Sequence, residues 1–177
     1  MDYVHQSLSP GEEIVCIGHF PWMYTAHAIA CIVWGVIGCV AVIIGARYID
    51  LYFVHTIDPE ASLLEQIRSL HPGIKLGAFF VFILGLMKFS HMMVIRASTE
   101  VAVTSSRIIY KRGLVARNVG ELSIDRIEGV NVIQTFLGRI FGYGRIMVRG
   151  MGVGEVILPT LANAIEFRKA IEKARTV

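Results

Sequence analysis

Charge is scarce in this chain: Asp, Glu, Lys and Arg make up 18% of its 177 residues, whereas 54% are hydrophobic and the mean hydropathy is +0.59. An ordinary soluble domain carries about 25% charged residues, so that balance argues against one. Cysteine is scarcer still. Cys16, Cys31 and Cys39 contain no C-x-x-C pair, which removes the usual zinc spacing. Cys31 and Cys39 share one apolar run, where their separation is about 12 Å of helical rise, too far for a disulfide. None of the six histidines stands four residues from another, so a metal site is not expected. A phosphate-cradling loop is missing too. Gly142-Tyr143-Gly144 and the Gly150, Gly152, Gly154 series lead into no prompt helix start and read as turns. Asp125-Arg126 reads as a turn with a local ion pair, and no nucleophile–base pair stands out. No catalytic residue, metal or cofactor is expected.

The charge that is present is unevenly placed. Met1 to Ile95 holds four Lys/Arg against seven Asp/Glu, and Arg96 to Val177 holds thirteen against seven, so net −3 is followed by net +6. A basic half on a membrane anchor faces an anionic leaflet, while the plainer reading is a solvated basic face. Nucleic acid is not an expected partner, because aromatic residues are not interleaved with the basic ones.

Long apolar runs dominate the first half. Ala28 to Ala46 contains no charged residue and follows Trp22 and Tyr24. Crossing a bilayer takes about 20 apolar residues, so a first span is expected over about 24–46. The run starts too late, and without preceding Lys/Arg, for a cleaved signal peptide. A second span is expected over about 75–95, flanked by Lys75 and Arg96, with Lys88 close enough to its end to snorkel. Cys31, Gly35 and Cys39 on the first span, with Gly77 and Gly85 on the second, are small residues suited to close helix packing. A hairpin is the simplest use of them; self-association is the other. Between the spans, Asp58-Pro59-Glu60 followed by Leu63, Leu64, Ile67 and Leu70 reads as a capped amphipathic helix over about 59–70, lying on the membrane surface. Arg96, Arg107, Lys111 and Arg112 follow the second span, which places both termini in the cytoplasm of a multi-pass plasma-membrane protein.

After Arg96 the period changes to two. Val101/Val103, Ile108/Tyr110 and Ile146/Val148 alternate with their neighbours and read as antiparallel strands, with Gly129 at a bulge. Only the tail reads as helical, opened by Asn163 with Glu166 three residues on. On the polar side of these runs Arg107, Lys111, Arg145 and Arg149 are candidates for a face toward a membrane or a partner. The first 23 residues form a separate segment. Its stretch Glu12–Phe20, between Pro10-Gly11 and Pro21, is either an extra strand docked on the C-terminal domain or an interfacial segment held by Phe20 and Trp22.

Three stretches carry a resemblance. Thr104-Ser105-Ser106-Arg107-Ile108-Ile109 with Lys111-Arg112-Gly113 resembles the opening hairpin of the bacterial pleckstrin-homology (PH), or membrane-flanked, domain family. Asp125-Arg126-Ile127-Glu128-Gly129-Val130 to Gln134, then Leu137-Gly138-Arg139-Ile140-Phe141-Gly142-Tyr143-Gly144, resemble its central segments. Pro10-Gly11-Glu12-Glu13 and two helices ahead of the domain are similar to its short members. The resemblance implies a two-helix transmembrane hairpin (24–96) followed by a mainly-β PH-like barrel with a C-terminal helix (97–177). It further implies a non-enzymatic binding or assembly module, whose partner is a protein, a second copy or the lipid bilayer. Only Arg107 is basic in the first hairpin loop, which argues against inositol-lipid recognition there. The competing reading is a membrane enzyme or transport subunit using His27, Lys88 and His91.

Overall fold

The computed structural model describes residues 4, 6–50, 52, 62–113, 118–152 and 154–176. They form two compact units, Thr25–Met93 on one hand and Met1–Tyr24 with Val94–Val177 on the other.

The first unit is helical. Its long members are α1 (Trp22–Ile49) and α3 (Pro72–Ser98), of 28 and 27 residues, with the short α2 (Leu63–Ser69) between them. At about 1.5 Å per residue, α1 and α3 are each about 40 Å long. A capping box opens α2: the Glu65 N–H donates to Ser62 Oγ at 3.4 Å, and the Ser62 N–H donates to Glu65 Oε2 at 3.2 Å. The expected cap, Asp58-Pro59-Glu60, lies outside the described residues. Pro72 opens α3, where its missing N–H costs nothing. The long helices meet at Gly35 and Gly85. A Cβ on Gly85 would lie 2.8 Å from the Cys31 carbonyl oxygen and 2.9 Å from Gly35 Cα. Gly38 faces Val81 just as closely, whereas Gly77 has nothing within 4 Å.

The second unit is β-rich and discontinuous in sequence. Strand β1 (Ile14–Gly18) precedes the helical pair, and β2 (Glu100–Thr104) follows it, yet they pair antiparallel with Ile14 opposite Thr104 and Gly18 opposite Val101. Sheet order is β1-β2-β3-β4, with β3 at Arg107–Arg112 and β4 at Asn118–Ser123. A single 3-10 turn, Ile124–Arg126, holds Asp125-Arg126 and leads to a second sheet, β5 (Ile127–Ile133), β6 (Gly144–Gly150) and β7 (Gly154–Leu161). The register slips between Ile127 and Gly129, the bulge expected at that glycine.

The core lies between the sheets. Val101, Val103, Ile108 and Leu122 from one, and Ile146, Val148, Leu158 and Leu161 from the other, are buried with Phe167 and Ile171 of helix α5 (Ala164–Arg175). Helix α5 contacts β1, β2, β5 and β6 and so fills the space between the layers. Gly18 permits this closeness, since a Cβ there would lie 2.9 Å from Leu161 Cδ1 and 3.1 Å from Phe167 Cε2.

Three expectations are corrected. The barrel is not closed: the two sheets form separate ladders, joined at one corner by the bond from Ala162 N–H, after β7, to His19 O, after β1 (2.8 Å). The 3-10 turn breaks the ladder after β4, and α5 occupies the space between the sheets. The tail is not the only helix of this unit, because α4 (Phe136–Phe141) follows β5, capped by Thr135 Oγ1 accepting from the Gly138 N–H at 3.1 Å. Asn163 does precede α5, but in the left-handed region (φ 51°) and without a side-chain capping bond.

Candidate functional site

The alternation in β2 and β3 does not leave a solvent-facing polar side. Val101, Val103 and Ile108 point to the core, yet Ala102, Thr104 and Ile109 on the opposite face are also buried. On that second face the N-terminal segment is tied down by a network. Arg107 Nη2 and Nε donate to Glu12 Oε2 and Oε1 at 2.7 and 3.0 Å, while Nη1 donates to Glu121 at 2.9 Å. Nη2 also reaches Ser7 O and Ser9 Oγ. Glu12, with a side chain only 3% exposed, accepts further bonds from Thr104 Oγ1, Ser106 Oγ and the Ser9 N–H. Burial alone would raise its pKa, but the Arg107, Ser9, Thr104 and Ser106 donors outweigh it and hold the value at about 2. Beside this network Lys111 Nζ lies 3.5 Å from Glu100 Oε1, and Glu100 Oε2 accepts from the Val4 N–H.

The four candidate basic residues therefore do not form one stripe. Arg107 and Lys111 belong to the first sheet and are paired within the fold. Arg145 and Arg149 lie on the outer face of the second sheet, where Arg149 pairs with Glu155 across β6 and β7. That pair is exposed on both sides, 63% and 43%. Arg149→Ala is accordingly expected to cost no more than about 0.5 kcal/mol in chemical unfolding, and a loss above about 2 kcal/mol would show that Arg149 holds the sheet.

Arg145 is different. In register it stands beside Ile133 of β5 and Thr160 of β7, and it lines a cavity of about 420 Å³ with Arg112 from the end of β3. Tyr24, Thr99 and Tyr110 contribute to the same wall, and all of the lining residues lie in the β-rich unit. Helix α4 presents an apolar surface. Phe136 is 81% exposed, and Leu137, Ile140, Phe141 and Ile133 are exposed as well. Phe141 packs edge-on against Trp22, the first residue of α1, with ring centroids 5.8 Å apart. The sequence reading, which expects a helix in the tail alone, gives no sign of this surface.

A family model described as the bacterial PH domain matches residues 15–175, from the start of β1 to the end of α5. The chain belongs to the bacterial PH domain family. A search of curated proteins finds no match. In this bacterial PH domain protein the matched region includes the helical pair, in keeping with a β-rich unit whose first strand lies ahead of it. Members of the family are generally non-catalytic interaction modules. His27, Lys88 and His91 are all exposed on the long helices. Among the described residues no group of His, Cys, Asp and Glu is placed to hold a metal ion.

Proposed function

We propose that this protein is a membrane-anchored interaction module, its PH-like unit held at the cytoplasmic face of the plasma membrane by a two-span hairpin. The observation that carries the reading is the outward apolar surface of α1 and α3. Trp34, Ile44, Phe79 and Phe80 are 70%, 58%, 59% and 62% exposed, and only 11% and 6% of the most apolar windows of the two helices are buried. A core helix of a soluble protein would be largely buried, and water would not tolerate so much apolar surface.

Strand pairing supports an even number of crossings. β1 precedes α1 and its partner β2 follows α3, which supports both ends of the helical pair lying on one side of the bilayer. The exposed apolar residues of α4, packed on Trp22, suit the headgroup boundary, where aromatic side chains are favoured. What the unit engages is a protein partner, a second copy of the chain or the anionic leaflet.

The test is extraction and labelling in cells. Alkaline carbonate should leave the chain in the membrane fraction. In a background with Cys16, Cys31 and Cys39 replaced by Ser, Glu60→Cys should react with an impermeant maleimide added from outside and Lys169→Cys should not. Equal labelling at the two positions would reject the two-span topology.

A further inference from the structure

Between Lys75 and Arg96, the basic residues flanking the second apolar run, Lys88 is the only charged residue. Helix α3 runs unbroken past both flanks, from Pro72 to Ser98. Along the helix the flanks are about 32 Å apart, which matches a hydrocarbon core of roughly 30 Å. Lys88 then lies about 12 Å inside the level of Arg96 and about 4 Å from the midplane, close to Gly85. Its side chain is exposed on the outside of the helical unit. A lysine stem reaches about 6 Å. Helical side chains also lean toward the N-terminus, which here is toward the midplane and away from the nearer edge at Arg96. Snorkelling, expected of Lys88 from its place in the sequence, therefore leaves the ammonium in hydrocarbon.

An ammonium at that depth is costly unless an acceptor of opposite charge meets it. Among the described residues the ion pairs lie elsewhere, and none includes Lys88. The chain has no carboxylate to offer, because neither 24–46 nor 75–95 contains Asp or Glu. A second copy brings the same two spans, so it offers none at this depth either. Lipid phosphates lie at the interface, out of reach. Phe80 and Leu84, two turns and one turn before Lys88, share a flank of α3 with it and with His91 one turn after. Phe80 and Leu84 are 62% and 47% exposed, and the seam with α1 at Gly35 and Gly85 leaves this flank uncovered. We propose that the flank docks a transmembrane helix of a different protein, with an Asp or Glu of that helix paired to Lys88 and His91 donating to the same carboxylate. This rests on the two-span reading above. It gives the anchor itself a partner, chosen by charge within the membrane.

Photo-cross-linking of the full chain in the membranes of its source cells tests it, with benzoylphenylalanine in place of Leu84 as the probe. The expected product is a discrete adduct to another membrane protein, its cross-linked peptide lying in a transmembrane helix that contains Asp or Glu. Lys88→Leu should lower the adduct yield at least about threefold, the lower end of what one interhelical polar contact is worth. Lys88→Arg, which keeps the charge, should retain it. Leucine enters a membrane more readily than lysine, so a loss in Lys88→Leu does not reflect failed insertion. Adducts to lipid alone, to a second copy or to a helix without a carboxylate overturn the proposal, as does an unchanged yield in Lys88→Leu. Carbonate extraction of the same membranes separates the two readings. A chain that stays in the membrane but gives no Lys88-dependent adduct sinks the docking flank alone, whereas release of the chain sinks the anchor.

Discussion

Glu12→Gln is expected to destabilise the β-rich unit by about 2–3 kcal/mol, the scale for removing one partner of a buried ion pair when the other keeps a second contact. Arg107 would retain Glu121, but five donors now aimed at a carboxylate would share a weaker, neutral acceptor. A pH dependence comes with it. The folded-state pKa of Glu12 is depressed to about 2 from an ordinary value of 4.5. A depressed carboxylate contributes stability that is fully present above the unfolded value and is lost as pH falls through the folded one. The wild-type unit should therefore weaken progressively between about pH 5 and pH 2, and Glu12→Gln should remove part of that slope. Limited proteolysis of the full chain in detergent, across that pH range, reads both effects. If the variant and the wild type lose protection in parallel as pH falls, Glu12 is not the titrating group that matters. The consequence reaches beyond stability. Glu12 lies before the helical pair and Arg107 after it, so one ion pair joins the two chain ends of that insertion, and its loss would loosen β1 from β2.

Why that pair escaped sequence reasoning is instructive. Its members are 95 residues apart with both long helices between them, and local spacing has nothing to say about such a contact. Arg107 and Lys111 sit at alternate positions of a strand, which by periodicity means a polar face. A second covering layer, the N-terminal segment, makes that face an interior. Features with many residues behind them were legible: two apolar runs long enough to span, period-two strands, and β1 framed by Pro10-Gly11 and Pro21. A six-residue helix such as α4 cannot display a 3.6-residue period. Its Gly138 is required because a Cβ there would lie 2.6 Å from the Tyr143 carbonyl oxygen, a contact that local spacing does not reveal. The cavity was illegible for a related reason. Arg112 and Arg145 come from different sheets, and of the two only Arg145 stood among the candidates.

Gly85→Val is expected to separate α1 from α3, while Gly77→Val leaves them together. A Cβ at position 85 would meet two backbone atoms, Cys31 O at 2.8 Å and Gly35 Cα at 2.9 Å. Neither can rotate aside, so the helix axes must move apart or the pair must re-register. At position 77 a Cβ would meet nothing within 4 Å, so the same substitution isolates whatever valine does to a helix by itself. In lipid no hydrophobic force drives helices together, and close backbone approach supplies much of the attraction. Overpacking of this kind typically costs about 1–3 kcal/mol, a large share of the association energy of a two-helix pair. Gly38 and Val81 supply the readout, since a Cβ on Gly38 would lie 2.8 Å from Val81 Cγ1. With the native cysteines replaced by Ser, Gly38→Cys and Val81→Cys should cross-link in membranes through a short bifunctional maleimide. Adding Gly85→Val should lower the yield several-fold, and adding Gly77→Val should not. Equal yields in the two backgrounds would mean that Gly35 and Gly85 are not what holds the helices together.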